Sequence, residues 1–282
     1  MLRAFLAALL LLPLAACDET GGLDAPVDLL VDDAIAARES GDVEAAIEIL
    51  RAAYQRAPDD ATVRVELATS LLRRDDLNLL DLDQIGQYII NGASNSPSAR
   101  SGARACGDGG TAFNPADAPG FQDIIDKAAT LAEADDLLSG ILPDALRSFD
   151  ICTSVRNGEL VYDRAGALGT LRAAGLDDER IAQGLAVNAA VQFLKAYTTV
   201  STALPAGSEW YRMPDGSIVI CVTDEAALRA AGEDAVRDLG ETVISLDARA
   251  SLVGDDSVAA EIVDVALDAY EEVRDAIADF CS

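Results

Sequence analysis

The stretch from Glu179 to Pro205 limits the fold more than any other part of the chain. Its sequence, ERIAQGLAVNAAVQFLKAYTTVSTALP, is apolar on almost every face of a helix. A helix of this kind is either buried on all sides or lies in a membrane. The charged and amide side chains along it are costly inside a bilayer. They are Arg180, Gln183, Asn188, Gln192 and Lys195. The pattern therefore predicts a central, buried helix that begins at Asp177 or Asp178.

Two amide side chains of this helix, Asn188 and Gln192, lie one turn apart on a surface that is otherwise buried. Buried amides need hydrogen-bond partners inside the protein, and such pairs are more often structural than ligand-binding. They are also the best polar pair in the sequence for a cavity that binds a ligand. Both interpretations stay open at this point.

The remaining sequence predicts further helices and two short hairpins. Apolar residues three and four apart indicate helices from Phe121, near 141–149, near 163–174, from Thr223, over 241–252 and over 258–280. Asn157-Gly158 and Pro214-Asp215-Gly216 stand between short apolar runs in 151–163 and 209–224, which is typical of β-hairpins. The predicted fold is mainly α, an α-helical bundle with one or two small β-hairpins.

Residues 27–72 carry an alanine pattern that resembles a tetratricopeptide repeat. Gly41-Asp42 falls at the turn between two helices, Pro58 at the exit of the second, and Ala61 at the start of a new repeat. The small and large apolar positions match at Ala34, Ala46, Leu50, Ala53, Leu67 and Ala68. Small residues let paired helices approach closely. The departures are Leu30 in place of an early aromatic residue and the loss of the pattern after Arg74. A generic helical hairpin with alanines on its inner face is the alternative.

The resemblance has consequences for the rest of the chain. One and a half repeats cannot bury their apolar faces alone, so later helices have to complete the stack. The repeat family also implies a concave groove that binds a partner. In this sequence that groove would be lined by Asp28, Val31, Ile35, Arg38, Val65 and Thr69.

The first sixteen residues have the layout of a secretory signal peptide. Arg3 precedes an apolar run that is too short to span a bilayer. Leu14, Ala15, Ala16 and Cys17 resemble the lipobox of bacterial lipoproteins. That resemblance implies cleavage before Cys17, a diacylglycerol on its sulfur and a further acyl chain, such as palmitate, on its amino group. Two or three chains anchor a protein stably. An ordinary signal peptide with a chance cysteine is the alternative.

These features divide the chain and place it in the cell envelope. The predicted segments are a signal peptide at 1–16, a flexible tether at 17–26, tetratricopeptide-like helices at 27–90, a loop at 91–120, and a helical domain with small β-hairpins at 121–282. The anchor would face the periplasm from the inner or the outer membrane. Asp18 after the cysteine is an inner-membrane retention signal in enteric bacteria, a rule that does not hold in every phylum.

The formal charge of -28 argues against two kinds of partner. Nucleic acid and anionic lipid surfaces would repel so acidic a body, whereas a basic partner is compatible with it. Besides Cys17 there are four cysteines, Cys106, Cys152, Cys221 and Cys281. In an oxidising envelope they predict two disulfides. Three pairings are open, and closeness in sequence favours Cys106 with Cys152 and Cys221 with Cys281.

The sequence lacks the residues that many catalytic sites need. It contains no histidine, no phosphate-binding GxxxxGK[ST] loop and no GxGxxG motif after a strand. We therefore expect a protein that is not an enzyme and has no cofactor or metal site. The leading hypothesis is a membrane-anchored envelope lipoprotein that binds another protein through its helical repeats. The alternative is an accessory lipoprotein that binds a small molecule for a transporter.

Overall fold

The computed structural model describes residues 25–77, 98–99, 109–113, 126–156, 159–214, 218–254, 259–260 and 263–264. Over this part of the chain the mainly α prediction is confirmed. The helices are α1 Val27–Glu39, α2 Val43–Arg56, α3 Ala61–Arg74, α4 Ala128–Ser139, α5 Ile151–Ser154, α6 Arg164–Ala173, α7 Asp178–Gly207 and α8 Glu225–Val253. No helix in these ranges combines the length and the apolar character that crossing a membrane requires.

Helix α7 is the central helix that its sequence predicts. It is in contact with α3, α4, α6 and α8, and the contact with α8 is the most extensive. Many of its apolar side chains are almost completely buried, for example Ile181, Leu185 and Val191. The Asp177 side chain accepts a hydrogen bond from the Arg180 backbone N–H at 2.8 Å. This N-cap satisfies a donor that the first turn leaves free and sets where α7 begins.

Helix α8 is one continuous helix, so the prediction of a separate helix over 241–252 is wrong. Gly240 lies inside this continuous helix, at the place where Phe149 packs against it. A Cβ at this position would lie 2.0 Å from ring atoms of Phe149. The helix therefore keeps a glycine where the Phe149 ring packs against its backbone. The cap is also one residue later than predicted, because Asp224 rather than Thr223 accepts from the Ala227 N–H.

The N-terminal helices pack in sequence order, α1 on α2 and α2 on α3, while α3 also contacts α4 and α7. Gly41 has φ +93°, a conformation that favours glycine, and Asp42 caps α2 by accepting from the Ala45 N–H. Four alanines have no solvent exposure in this region. They are Ala34, Ala46, Ala53 and Ala68.

The helix predicted near 141–149 is replaced by a short 3₁₀ turn at Asp144–Leu146. Pro143 precedes that turn with extended backbone, φ -61° and ψ 151°. Proline lacks a backbone N–H and disfavours helical conformation in the residue before it. The apolar spacing was therefore correct for burial, since Leu142, Leu146 and Phe149 are buried, but it did not indicate a helix.

Both predicted β-hairpins are present. The strands are β1 Ser98–Ala99, β2 Thr111–Phe113, β3 Val155–Arg156, β4 Glu159–Leu160, β5 Ser208–Arg212 and β6 Ile218–Val222. Strands β3 and β4 are antiparallel, with Val155 opposite Leu160. Strands β5 and β6 are also antiparallel, with Trp210 opposite Ile220.

The hairpin of β5 and β6 belongs to a four-stranded sheet with the order β1-β6-β5-β2. Strand β1 is parallel to β6, and β2 is antiparallel to β5. The prediction of an unbroken loop at 91–120 is therefore corrected at two places. Strands of two and three residues are too short to show an alternating apolar pattern, so no sequence pattern indicates them.

The two chain ends lie mostly outside the described residues. This applies to the signal peptide, to Cys17 and to most of the helix predicted at 258–280. Within that last segment Ala259 and Val263 are buried against Val243, Leu246 and other residues of α7 and α8. The predicted division into domains stays a prediction.

The packing of Phe149 on Gly240 predicts that replacing glycine by alanine changes the free energy of unfolding in opposite directions at two glycines of α8. Replacing an exposed helical glycine by alanine normally stabilises a protein by about 0.5–1 kcal/mol. Gly232 has free space at its Cβ position, so G232A should follow this rule. G240A should instead lower the free energy of unfolding by about 1–3 kcal/mol, because the Phe149 ring has to move. Urea unfolding of the two variants measures both effects, and equal stabilisation by both would contradict the assignment.

Candidate functional site

A cluster of charged and amide side chains lies between α4, α7 and α8. Its members are Asp135, Arg147, Asn188, Gln192, Lys195, Asp238 and Glu241. The two amides predicted to need internal partners have them. Asn188 Nδ2 donates to Ser245 Oγ at 2.8 Å, and Gln192 Nε2 donates to Asp135 Oδ1 at 2.8 Å. Both amide side chains are fully buried.

Asp135 is the acceptor that joins the cluster. Lys195 Nζ donates to its Oδ2 at 2.9 Å, and Arg147 Nη2 donates to its Oδ1 at 3.0 Å. Burial alone would raise the pKa of Asp135. The hydrogen bond from Lys195 and the positive charges of Lys195 and Arg147 outweigh burial and lower the pKa below its ordinary value. Asp135 is therefore ionised at neutral pH.

Helix α8 contributes two carboxyl groups whose pKa values are raised, whereas that of Asp135 is lowered. Burial raises the pKa of Asp238, against the positive charges of Lys195 and Arg237. Burial also raises the pKa of Glu241, from an ordinary value of 4.5 to about 7, because the attraction of Arg147 only partly compensates for lost hydration. Glu241 is only 5% exposed, and its Oε2 has no hydrogen-bond partner.

The charges of the cluster explain why the pKa of one of its carboxyl groups is raised to about 7. Asp135, Asp238 and Glu241 face Arg147 and Lys195, which leaves one carboxyl in excess. Arg237 does not remove the excess, because it is shared between Asp238 at 3.3 Å and the exposed carboxylate of Asp234 at 3.0 Å. Glu241 is the group with a buried oxygen, Oε2, that has no hydrogen-bond partner, and burial raises its pKa. Arg147 Nη1 is also buried without a partner.

The residues of the predicted concave groove are mostly covered. Arg38 forms a buried ion pair with Glu66 at 2.7 Å, and Thr69 Oγ1 accepts a hydrogen bond from Gln183 of α7 at 2.8 Å. Val65 packs against Gly184, where an added Cβ would lie 3.2 Å from its Cγ2. Helix α7 of the same chain therefore occupies the face at Val65 and Thr69.

The other groove residues are separated from that contact. Val31 is buried in the main core and Ile35 packs against the same core, whereas Asp28 is exposed to solvent. The six residues do not form one open surface.

The structure describes two of the four remaining cysteines, Cys152 and Cys221, and each takes part in a disulfide. Cys106 and Cys281 lie outside the described residues. The pairing of Cys106 with Cys152 and of Cys221 with Cys281 therefore stays a prediction.

Two clefts open beside α7, and neither is lined by the charged cluster. The first cleft, about 390 Å³, lies between the end of α3 and the middle of α7. It is lined by Thr69, Leu72, Arg73, Asp76, Leu77, Ala186, Val187 and Ala190. The second cleft, about 420 Å³, lies between the start of α7 and the end of α8. It is lined by Asp178, Glu179, Ala182, Gln183, Ala186, Arg249, Leu252 and Val253. Ala186 lines both.

The geometry gives no sign of metal chemistry in the part of the chain that is described. There, no three cysteine, aspartate or glutamate side chains are placed to hold a metal ion together. Comparisons with protein-family models, with curated proteins and with solved structures found no match for this chain. The clefts and the cluster therefore have to be interpreted from their own residues.

Sequence reasoning missed the acidic half of the cluster. Asp135 lies next to Asp136 in a helix that faces solvent on one side, so its burial had no clear signal. Asp238 and Glu241 were detectable in principle. They stand one turn apart directly before the apolar run TVISL, on the side of α8 that this run places in the core.

The raised pKa of Glu241 leads to a prediction about stability and pH. The folded protein keeps this proton above pH 4.5, where the unfolded chain loses it, so the contribution of Glu241 to stability falls as pH rises and levels off above about 7. Glu241→Gln removes this dependence. We compare the free energy of unfolding of this variant with that of the native protein. From pH 4 to pH 8 the difference should change by about 1 kcal/mol or more in favour of the variant.

Urea unfolding followed by circular dichroism at both pH values measures the change. Glu233→Gln is the matched control, because Glu233 lies on the same helix and is exposed. A pH-independent difference for Glu241→Gln, or the same trend in the control, would show that Glu241 is not the protonated group.

Proposed function

We propose that this chain is an envelope lipoprotein, held to a membrane by fatty chains on Cys17, whose helical body binds another protein. The leader and the residues Leu14, Ala15, Ala16 and Cys17 support the anchor. The protein acts without catalysis in this proposal, as a scaffold that faces the periplasm.

The arrangement of α1, α2 and α3 supports the resemblance to tetratricopeptide repeats. The positions that the repeat reserves for small residues hold alanines with no solvent exposure, among them Ala34, Ala46 and Ala68. Helices α4 and α7 both pack on α3, which gives the third helix the neighbours that an isolated repeat lacks. We infer that α4 and α7 take the place of further repeats.

The first cleft is the observation that carries the protein-binding proposal. Its floor is apolar, formed by Leu72, Val187 and Ala190, and the polar side chains Arg73 and Asp76 stand at its edge. Small residues on α7 allow another helix to approach closely, as in the predicted repeats. Because the chain carries a net charge of -28, a partner segment with an apolar stripe and basic flanks fits best.

The second cleft favours the alternative function, an accessory lipoprotein that binds a small molecule for a transporter. Its volume of about 420 Å³ lies within the range of small-molecule sites. The two functions are compatible, since the two clefts have different walls apart from Ala186.

The lipid anchor predicts how the protein divides between detergent and water. The native protein should enter the detergent phase in phase partitioning, and its intact mass should include the fatty chains. Cys17→Ser should remain in the aqueous phase, because the sulfur that carries the diacylglycerol is gone. Cys281→Ser removes a different cysteine and should stay in the detergent phase. An unmodified Cys17 in the native protein would overturn the anchor.

The first cleft predicts where a partner is crosslinked in intact cells. A photoreactive amino acid in place of Arg73, at the edge of the cleft, should give one discrete adduct with an envelope protein. The same amino acid in place of Glu48, an exposed residue of α2, is the matched control and should give none. Western blots of the two variants compare the adducts. Equal labelling from both positions, or no adduct from Arg73, would argue against docking at this cleft.

A further inference from the structure

Arg249 of α8 is the basic residue among those that line the second cleft. Its Nε is buried and has no hydrogen-bond partner. Within the described residues, no carboxylate forms an ion pair with its guanidinium, although the chain has 49 acidic residues against 21 basic ones. A buried hydrogen-bond donor without an acceptor raises the free energy of the folded protein. A ligand that supplies an acceptor would remove this penalty.

The chemistry of a guanidinium selects the partner group. Arginine binds carboxylates through two parallel hydrogen bonds, and it keeps its charge at every physiological pH. The ligand should therefore present a carboxylate to Arg249. A purely anionic ligand fits the site poorly, because Asp178 and Glu179 lie in the same wall and the whole chain is strongly negative.

The two acidic residues of the cleft differ in how they are engaged. Asp178 is bound by Arg172 Nε at 2.7 Å, which compensates its charge. Glu179 is exposed and has no ion pair within the described part of the chain. Glu179 is therefore available for a positively charged group of a ligand. Within the described residues, the site then offers a cation, Arg249, and an anion, Glu179, that have no ion pair of their own.

The remaining wall of the cleft is apolar. It is formed by Ala182 and Ala186 of α7 and by Leu252 and Val253 of α8. We propose that the second cleft binds an α-amino acid with an apolar side chain, with its carboxylate on Arg249, its ammonium group near Glu179 and its side chain against these residues. The bound molecule is neutral overall, so the net charge of the protein does not repel it. This site rests on the small-molecule alternative proposed above, does not depend on the lipid anchor and shares only Ala186 with the first cleft.

Equilibrium dialysis of the full mature chain in detergent tests the proposal. The probes are alanine, valine, leucine, isoleucine, methionine, phenylalanine and proline at millimolar concentration, each quantified by mass spectrometry. We expect at least one of them to be retained at one molecule per chain. The deaminated acid and the decarboxylated amine of the best ligand should each bind at least about tenfold more weakly, because each lacks one charged partner.

Variants identify the residues that bind. Arg249→Gln should weaken retention at least about tenfold, whereas Arg156→Gln, at an exposed arginine outside the cleft, should leave it unchanged. Glu179→Gln, at an exposed position that folding tolerates, provides a second test and should also weaken retention. Circular dichroism checks that each variant is folded.

Three outcomes would overturn the proposal. They are no retention of any of the seven amino acids, equal retention by folded Arg249→Gln or by Glu179→Gln, and equal retention of the deaminated acid. None of these affects the test of the anchor at Cys17 or of the first cleft.

Discussion

The burial of the apolar side chains of α7, among them Ile181, Leu185 and Val191, is the constraint on which the rest of the structure depends. A helix with apolar residues on most faces needs several neighbouring helices, and α3, α4, α6 and α8 supply them. Burial of apolar surface is not directional, so it does not by itself decide which helix lies where. Three amides of α7 add that information. Gln183 binds Thr69 of α3, Asn188 binds Ser245 of α8, and Gln192 binds Asp135 of α4.

How far the sequence predicts this fold depends on how local each feature is. The buried helix α7, its cap at Asp177 and the two hairpins follow from neighbouring residues, and the structure agrees with them. The errors arise where a distant residue decides. The prediction of a separate helix over 241–252 was wrong, because the ring of Phe149, which packs at Gly240, is far away in sequence. Strands β1 and β2 are defined by their pairing with β6 and β5, which are distant in sequence.

The candidate site shows the same limit. The need of Asn188 and Gln192 for internal partners was predictable from their places on an apolar helix. The identity of those partners was not, because Ser245 and Asp135 come from two other helices. Likewise, Arg249 is one arginine among many in the sequence. Only the position of α8 beside the start of α7 gives it a cleft, and only its missing partner distinguishes it.

The sheet has a consequence for the order in which the chain assembles. Strands β5 and β6 are neighbours in sequence, so they can pair as soon as their turn forms. Strand β1 has to wait for β6, from which it is separated by more than a hundred residues that include α4 to α7. Contacts between such distant segments close large loops and form slowly. The outer strands should therefore join late during folding, on a helical framework that is already in place.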